Sequence, residues 1–243
     1  MTEKTKLLVQ EVLEAHGGAE RFRQAKGLAS TIVTGGKLWA MKGIDMDRTP
    51  RRATTDFHRQ WACVGGFGQP DWTMTWTPKH LEITDAEGKL IAERDDGREA
   101  FGDRGFDTQW DPLNLAYFNG YAMWTYHALP FLIGDPHYEL EAIAPVLLEG
   151  RELRGLLVRF PENVHTHTRE QRLYFGEDGL LRRHDYSVDV WANATAAHFL
   201  SHYVELDGFK FPSRRSVFAK KTDGSVNEDL NTVTVELSNY EVR

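Results

Sequence analysis

One cysteine, Cys63, occurs in 243 residues. An internal disulfide and a multi-cysteine zinc site are thereby excluded, and the expected compartment is a reducing one. Within Trp61-Ala-Cys-Val, Cys63 reads as a small core residue rather than a nucleophile. A basic excess is lacking too: 29 Lys and Arg against 36 Asp and Glu give a formal net charge of −7. A general nucleic-acid binder needs a basic face to neutralise phosphates, so no nucleic-acid partner is expected. Long apolar runs are missing. Ala128–Ile133 falls far short of the roughly 18–20 residues that cross a bilayer, so no transmembrane segment is expected. Met1-Thr-Glu-Lys-Thr-Lys passes straight into an amphipathic pattern, without the charged, apolar and small-residue regions of a secretory leader. The expected location is the cytoplasm.

Familiar catalytic signatures are absent as well. The sequence has no Walker phosphate loop, no Gly-x-Ser-x-Gly elbow and no His-Glu-x-x-His. Gly65-Gly-Phe-Gly68 lacks the spacing and following helix of a dinucleotide fingerprint. Phosphoryl transfer, serine hydrolysis and hydride transfer lose weight accordingly, and no cofactor is called for.

What is present is an ordinary globular composition, 41% hydrophobic and 27% charged, enriched in side chains with an apolar body and a polar tip. Ten histidines, seven Trp and eight Tyr make up that enrichment, beside thirteen wholly apolar Phe. No linker, low-complexity tract or internal repeat interrupts the chain, so residues 1–243 are read as one domain.

Leu7, Leu8, Val12 and Leu13 recur at helical spacing before Gly17-Gly18, which predicts an N-terminal amphipathic helix with a glycine stop. From Leu28 to Arg94, and again from Tyr138 to Val242, short β-rich runs alternate with Gly, Pro and Asp turn residues, the spacing of antiparallel meanders. Asp207-Gly208 marks a tight hairpin. Between the two β regions, Pro112–Ile133 is apolar or aromatic nearly all round a helical wheel and requires cover on most sides. Asp111 caps its start, Pro112 suits the first turn and Pro130 ends or kinks it. The fold class is α+β, with about 10–11 antiparallel strands and two or three helices.

The stretches Glu11-Val-Leu-Glu-Ala-His-Gly-Gly-Ala-Glu20, Gly27-Leu-Ala-Ser-Thr-Ile-Val, Tyr174-Phe-Gly-Glu-Asp-Gly-Leu-Leu-Arg-Arg183 and Val204-Glu-Leu-Asp-Gly-Phe-Lys-Phe-Pro-Ser213 carry a resemblance. In these, and in its order of elements, the chain resembles the lipoprotein-carrier (LolA/LolB-type) half-barrel superfamily, as a cytoplasmic branch of it. The resemblance implies a large curved antiparallel sheet wrapped around a central apolar helix, with acyl chains or other apolar ligands held in the concavity.

Three histidine-bearing segments are the candidates for chemistry. His165 and His167, two apart on an expected strand, would share a face about 6.6 Å apart and either flank a polar ligand or ligate one metal with a third ligand such as His184 or His198. The simplest reading leaves them as satisfied histidines on an edge, and no metal is assigned. On a strand, His184 shares its face with Arg182, Tyr186 and Val188, so His184 and Tyr186 make a possible acid–base pair. The pairs Arg51-Arg52, Arg182-Arg183 and Arg214-Arg215 read mainly as solvated strand faces. The leading expectation is a soluble binding protein for an apolar small molecule or acyl chain. Trp72, Trp76, Tyr117, Tyr121, Trp124 and Tyr126 would form its walls, with His165, His167, His184 and Arg182 as polar contacts. The competing expectation is an isomerase, cyclase or hydrolase using His184 and Tyr186, and a third is an interaction module with incidental histidines.

Overall fold

Alternation of apolar and polar residues becomes alternation of burial: Arg51–Asp56 and His80–Thr84 each bury every second residue, as strands with one covered face must. In the computed structural model, which describes residues 1–45, 48–102 and 105–243, the chain runs α1 (Glu3–His16), α2 (Ala19–Gln24), β1 (Gly27–Gly35), α3 (Leu38–Met41) and β2 (Arg51–Asp56). Then come β3 (Ala62–Gly65), β4 (Thr73–Trp76), β5 (His80–Thr84), β6 (Leu90–Asp95) and α4 (Pro112–Ala128). The second half is β7 (Glu139–Leu148), β8 (Arg151–Arg159), β9 (Glu170–Phe175), β10 (Leu181–Val188), β11 (Ala194–Leu206), β12 (Phe209–Lys220) and β13 (Val226–Val242).

These strands form one curved, unclosed antiparallel sheet of thirteen in the order β6-β5-β4-β3-β2-β1-β13-β12-β11-β10-β9-β8-β7. Thirteen exceeds the ten or eleven expected. One source of the excess is the stretch Arg51–Cys63, whose β-rich composition suits a single strand but which divides into β2 and β3. The Asp56 carboxylate accepts the backbone N–H groups of His58 (2.8 Å) and Arg59 (3.2 Å), a side-chain turn that folds the chain back on itself. Asp207 and Gly208 both take positive φ, 51° and 78°, in the two-residue β11–β12 turn, the combination that a twisted hairpin favours.

Helix α1 starts where the Thr2 hydroxyl accepts the Thr5 N–H (3.3 Å) and stops at Gly17, whose φ of 126° suits glycine. It buries Leu8, Val9, Val12, Leu13 and His16, and packs against β7, β12 and the turn Phe131–Gly134. Helix α4 opens with a reciprocal cap in which Asp111 accepts the Asn114 N–H (2.7 Å) and the Asn114 side chain accepts the Asp111 N–H (3.2 Å). Fifteen of its seventeen residues are buried, and it packs against β2 through β6. Two polar residues anchor its last turns. His127 bonds Ser30 through Nε2 and Thr55 through Nδ1, both at 2.9 Å, and the Trp124 indole N–H donates to the Asp56 carbonyl at 2.9 Å.

Closest approach between α4 and the sheet falls at Gly120, where a Cβ would lie 2.3 Å from the Trp76 ring. In an exposed helix Gly→Ala gains about 1 kcal/mol from propensity. Here the clash involves a fully buried indole that has nowhere to go, and overpacking costs about 1–3 kcal/mol. Gly120→Ala is therefore expected to lower the urea midpoint of unfolding; a higher midpoint would contradict this packing.

A buried histidine, tyrosine and arginine cluster

The loop between β8 and β9 carries His165 and His167, which lie outside any strand. Pro161, whose carbonyl accepts the Val164 N–H at 3.0 Å, turns the chain out of β8, and Gln60 clamps the loop through both backbone polar groups of His165. Its side-chain amide donates to the His165 carbonyl (2.7 Å), and its Oε1 accepts the His165 N–H (2.8 Å). The strand geometry expected for His-Thr-His is thus replaced by a loop laid against α4. His165 Nδ1 meets the Tyr117 hydroxyl at 2.7 Å, and His167 Nδ1 meets that of Tyr121 at 3.2 Å. Tyr117 and Tyr121 are one helical turn apart, about 5.4–6 Å along α4, which a two-residue step of extended loop matches. Arg98 locks this layer by donating to the Tyr117 hydroxyl (2.9 Å), the Thr166 carbonyl (2.6 Å) and Asp189 (3.1 Å).

Deeper in, β10, β11 and β12 supply the remaining members. His184 on β10 lies directly opposite His198 on β11, with ring centroids 5.8 Å apart. His184 Nε2 donates to Gln171 Oε1 at 2.5 Å. The Gln171 amide then donates to the Thr166 hydroxyl (3.0 Å) and the Thr168 carbonyl (2.7 Å), tying β9 to the loop. Tyr186 stacks flat on His167 at 4.0 Å, and its hydroxyl and that of Tyr126 hydrogen-bond each other. Arg215 on β12 lays its guanidinium 4.6 Å from the Tyr126 ring centroid and donates to the Tyr126 carbonyl at 2.6 Å.

Tyr121, Tyr126, His167, His184 and Tyr186 therefore share one cluster, with Tyr117, His165 and Trp76 in the adjoining layer. Trp124 is spent on the β2–β3 turn. Trp72 is half-buried beside Gly68. Arg182 does not share the His184 face: a register shift between Leu181 and Arg183 turns it outward, where it pairs with Asp178 and covers the Tyr203 ring at 5.2 Å. Two residues of the cluster escaped the sequence reading. Gln171 gave no signal. Arg215 was visible only as half of an Arg-Arg pair; it shares the parity of Phe209, Phe211 and Val217 on β12 and is buried to 4% exposure, so it is no solvated face. No set of three or more His, Cys, Asp or Glu side chains among the described residues has metal-binding geometry.

Burial dominates the electrostatics. Desolvation holds His184 down at about 3 and keeps His167 and His198 well below the ordinary histidine value. It also lowers His127 to about 3 and His16 to about 4, and drives Tyr121 and Tyr186 well above the ordinary tyrosine value. The His16 Nδ1–H donates to the Val12 carbonyl at 2.8 Å, which leaves Nε2 as acceptor for the Leu181 N–H at 3.4 Å.

Thirteen strands in an open sheet, with a helix buried against one half of it, define the class of protein by architecture. No protein-family model matches the sequence, and no curated protein matches it. Solved structures do share the fold. A putative outer membrane lipoprotein-sorting protein domain from Vibrio parahaemolyticus superimposes with a TM-score of 0.57 at 10% identity, covering 99% of this chain and 93% of that one. A DUF1329 family protein from Desulfovibrio piger gives 0.54 at 12% identity over 99% and 94%. A LolA superfamily protein from Nitrosomonas europaea gives 0.53 at 9% identity over 98% and 93%. The chain thus has a LolA-like fold, and at these identities the likeness extends to the fold alone. No helix among the described residues is long and apolar enough to cross a membrane.

Five histidines kept neutral by burial set the sign of the acid response. Their folded pKa values lie below the unfolded value of about 6.5, so the unfolded chain takes up protons first and stability falls as pH drops below about 6.5. His127 and His184, held at about 3, and His16, held at about 4, each cost about 2 kcal/mol at pH 5, about 6 kcal/mol together, and His167 and His198 act in the same direction. The whole stability of a domain is about 5–15 kcal/mol. Cooperative unfolding is expected near pH 5 by far-UV circular dichroism. A midpoint below pH 4 would show that these rings accept protons in place.

Proposed function

We propose that the protein is a carrier that holds an apolar small molecule or acyl chain on the concave face of its sheet, entering beneath α1. One observation carries this reading: α1 covers β7 and β8 without sealing against them. A groove of about 1160 Å³ runs along one flank over Val9, Leu13, Ile133 and Leu140, and a second of about 420 Å³ runs along the other over Leu7, Leu8 and Ile143. The larger one exceeds the usual small-ligand pocket of about 300–1,000 Å³. Few polar ties hold the helix down; the Thr5 hydroxyl accepts the Ala142 N–H at 3.2 Å, and Glu11 pairs with Arg154.

The lipoprotein-sorting description of the Vibrio parahaemolyticus neighbour is consistent with an apolar cargo. In this reading the grooves beside α1 receive the cargo, while Trp76, Tyr117, Tyr121, Trp124, Tyr126, His165 and His167 line neither groove and pack between α4 and the sheet, and Trp72 and Arg182 stand at the periphery. Proton-transfer chemistry by His184 and Tyr186 is the weaker alternative. An imidazole held near 3 and a phenol held far above its usual value are both poorly poised for acid–base work at neutral pH.

Delipidated protein is expected to take up the fluorescent probe 1-N-phenylnaphthylamine and to release it to palmitate. Ala142 lines both grooves, and Ala142→Trp is expected to weaken probe binding by about tenfold with the fold intact. A folded protein that takes up neither probe nor palmitate rules the carrier reading out.

A further inference from the structure

A charge without a carboxylate lies at the centre of the buried cluster. Arg215 is 4% exposed, forms no ion pair with an Asp or Glu among the described residues, and has its guanidinium 4.6 Å from the Tyr126 ring centroid. Asp185, on β10 beyond β11, is engaged by Arg183 (2.7 Å) and Lys220 (3.0 Å). Burying an isolated cation is costly unless something compensates it. The Tyr126 carbonyl lies in the last turn of α4, where the negative end of the helix dipole supplies part of that compensation. It uses one Nη–H, while the Arg215 Nε–H stays without a partner.

That orphan has company. His198, 0% exposed, has no partner at either ring nitrogen, and His167 has none at Nε2. His198 lies opposite Val217 and Leu200 opposite Arg215, so His198 and Arg215 are diagonal neighbours across β11 and β12, about 7–8 Å apart at the backbone. His167 and His198 both lie against the Tyr126 ring, at 6.1 and 4.9 Å between centroids. A neutral imidazole offers one N–H donor, so the cluster presents several donors and one positive charge around Tyr126 and Tyr186. An anionic oxygen group would accept those donors and neutralise the charge together, which a hydroxyl or an ester cannot do. Tyr203, on the same strand as His198, points toward the proposed ligand path: its ring meets His16 of α1 at 5.8 Å, and its hydroxyl donates to the Leu181 carbonyl at 2.6 Å.

We infer, building on the carrier reading above, that the ligand is an amphiphile with an anionic oxygen headgroup, a carboxylate or phosphate, received by Arg215, His198 and His167 while its chain lies toward α1.

Displacement of 1-N-phenylnaphthylamine from the full chain at pH 7.5 separates the possibilities. Palmitate and hexadecyl phosphate are expected to compete at least about tenfold better than hexadecanol, and Arg215→Met to abolish that preference while hexadecanol binding persists. His198→Phe is expected to reduce the preference, and it serves as the second variant if Arg215→Met does not fold by circular dichroism. Equal competition by palmitate and hexadecanol overturns the headgroup inference and leaves the carrier reading standing. So does a preference that persists in folded Arg215→Met, or one that is undiminished in folded His198→Phe. Acetate or inorganic phosphate competing as well as palmitate assigns the cluster to a free anion and overturns the inference. Failure of every long-chain ligand to bind overturns both readings.

Discussion

Pairing of the first strand with the last sets the architecture. β1 runs against β13 from Leu28↔Val242 to Gly35↔Thr234, and the seam is finished by backbone bonds between Gly27 and Arg243 at 3.2 and 2.9 Å. Without it the chain would form two separate meanders, β1–β6 and β7–β13. With it they fuse into one sheet whose free edges are β6 and β7. Those two edge strands are consecutive in sequence, so the segment joining them must travel from one edge of the sheet to the other. Helix α4 lies in that segment. The apolar circumference of Pro112–Ala128 thus has a topological cause: a helix carried across a curved sheet is covered on nearly every side and cannot keep a polar stripe.

Such a helix can be held in two ways, by close packing and by buried polar contacts, and α4 uses both. Gly120 lets its backbone approach the Trp76 ring. Toward the C-terminal end, tyrosine hydroxyls and His127 make side-chain bonds to β1, β2 and the 161–169 loop. Each such bond contributes only about 0.5–1.5 kcal/mol net, but leaving a member unmatched inside the protein costs about 1–3 kcal/mol. The network therefore fixes the position of α4 more than it stabilises the fold, and that position brings Tyr121 against His167 and Tyr126 against His198 of β11.

Much of this was legible in the residues, and the failures have local causes. The limits of α4 followed from Asp111, Pro112 and Pro130, because capping and ring closure are nearest-neighbour effects. The β11–β12 hairpin followed from Asp207-Gly208 for the same reason. The β2–β3 turn was missed because an aspartate turn signal inside a β-rich run looks like one more polar position. His165 and His167 were placed on a strand by their alternation, whereas a proline-initiated turn and the distant Gln60 decide their conformation. The register shift at Arg182 lies beyond any period-2 argument, since a bulge displaces every later side chain relative to the earlier ones. Arg215 was hidden by its neighbour: Arg214 is exposed, and a pair of arginines reads as solvated unless the parity of the whole strand is followed.

Arg215 also shows where stability and function part. Seen as architecture alone, the cluster is an expensive way to fill the space between α4 and β10–β12. Well-packed apolar side chains of similar volume in place of a buried ionic group often leave a protein equally or more stable. Gln171, Thr166 and Thr125 show that polar groups here can be satisfied when they need only fix the loop to α4. Those partners stop short of Arg215 Nε and His198, whose nitrogens stay buried and unmatched among the described residues. Unmatched buried polar atoms gather at this cluster, with isolated cases such as Arg154 Nε and Asn231 Oδ1 elsewhere, while capping, turn chemistry and alternation agree with the fold across most of the chain. Departures of that kind mark sites whose side chains serve something other than folding. The cost of the cluster and the identity of its missing partner are therefore one question, and the positive charge constrains the answer more tightly than the shape of the concave face does.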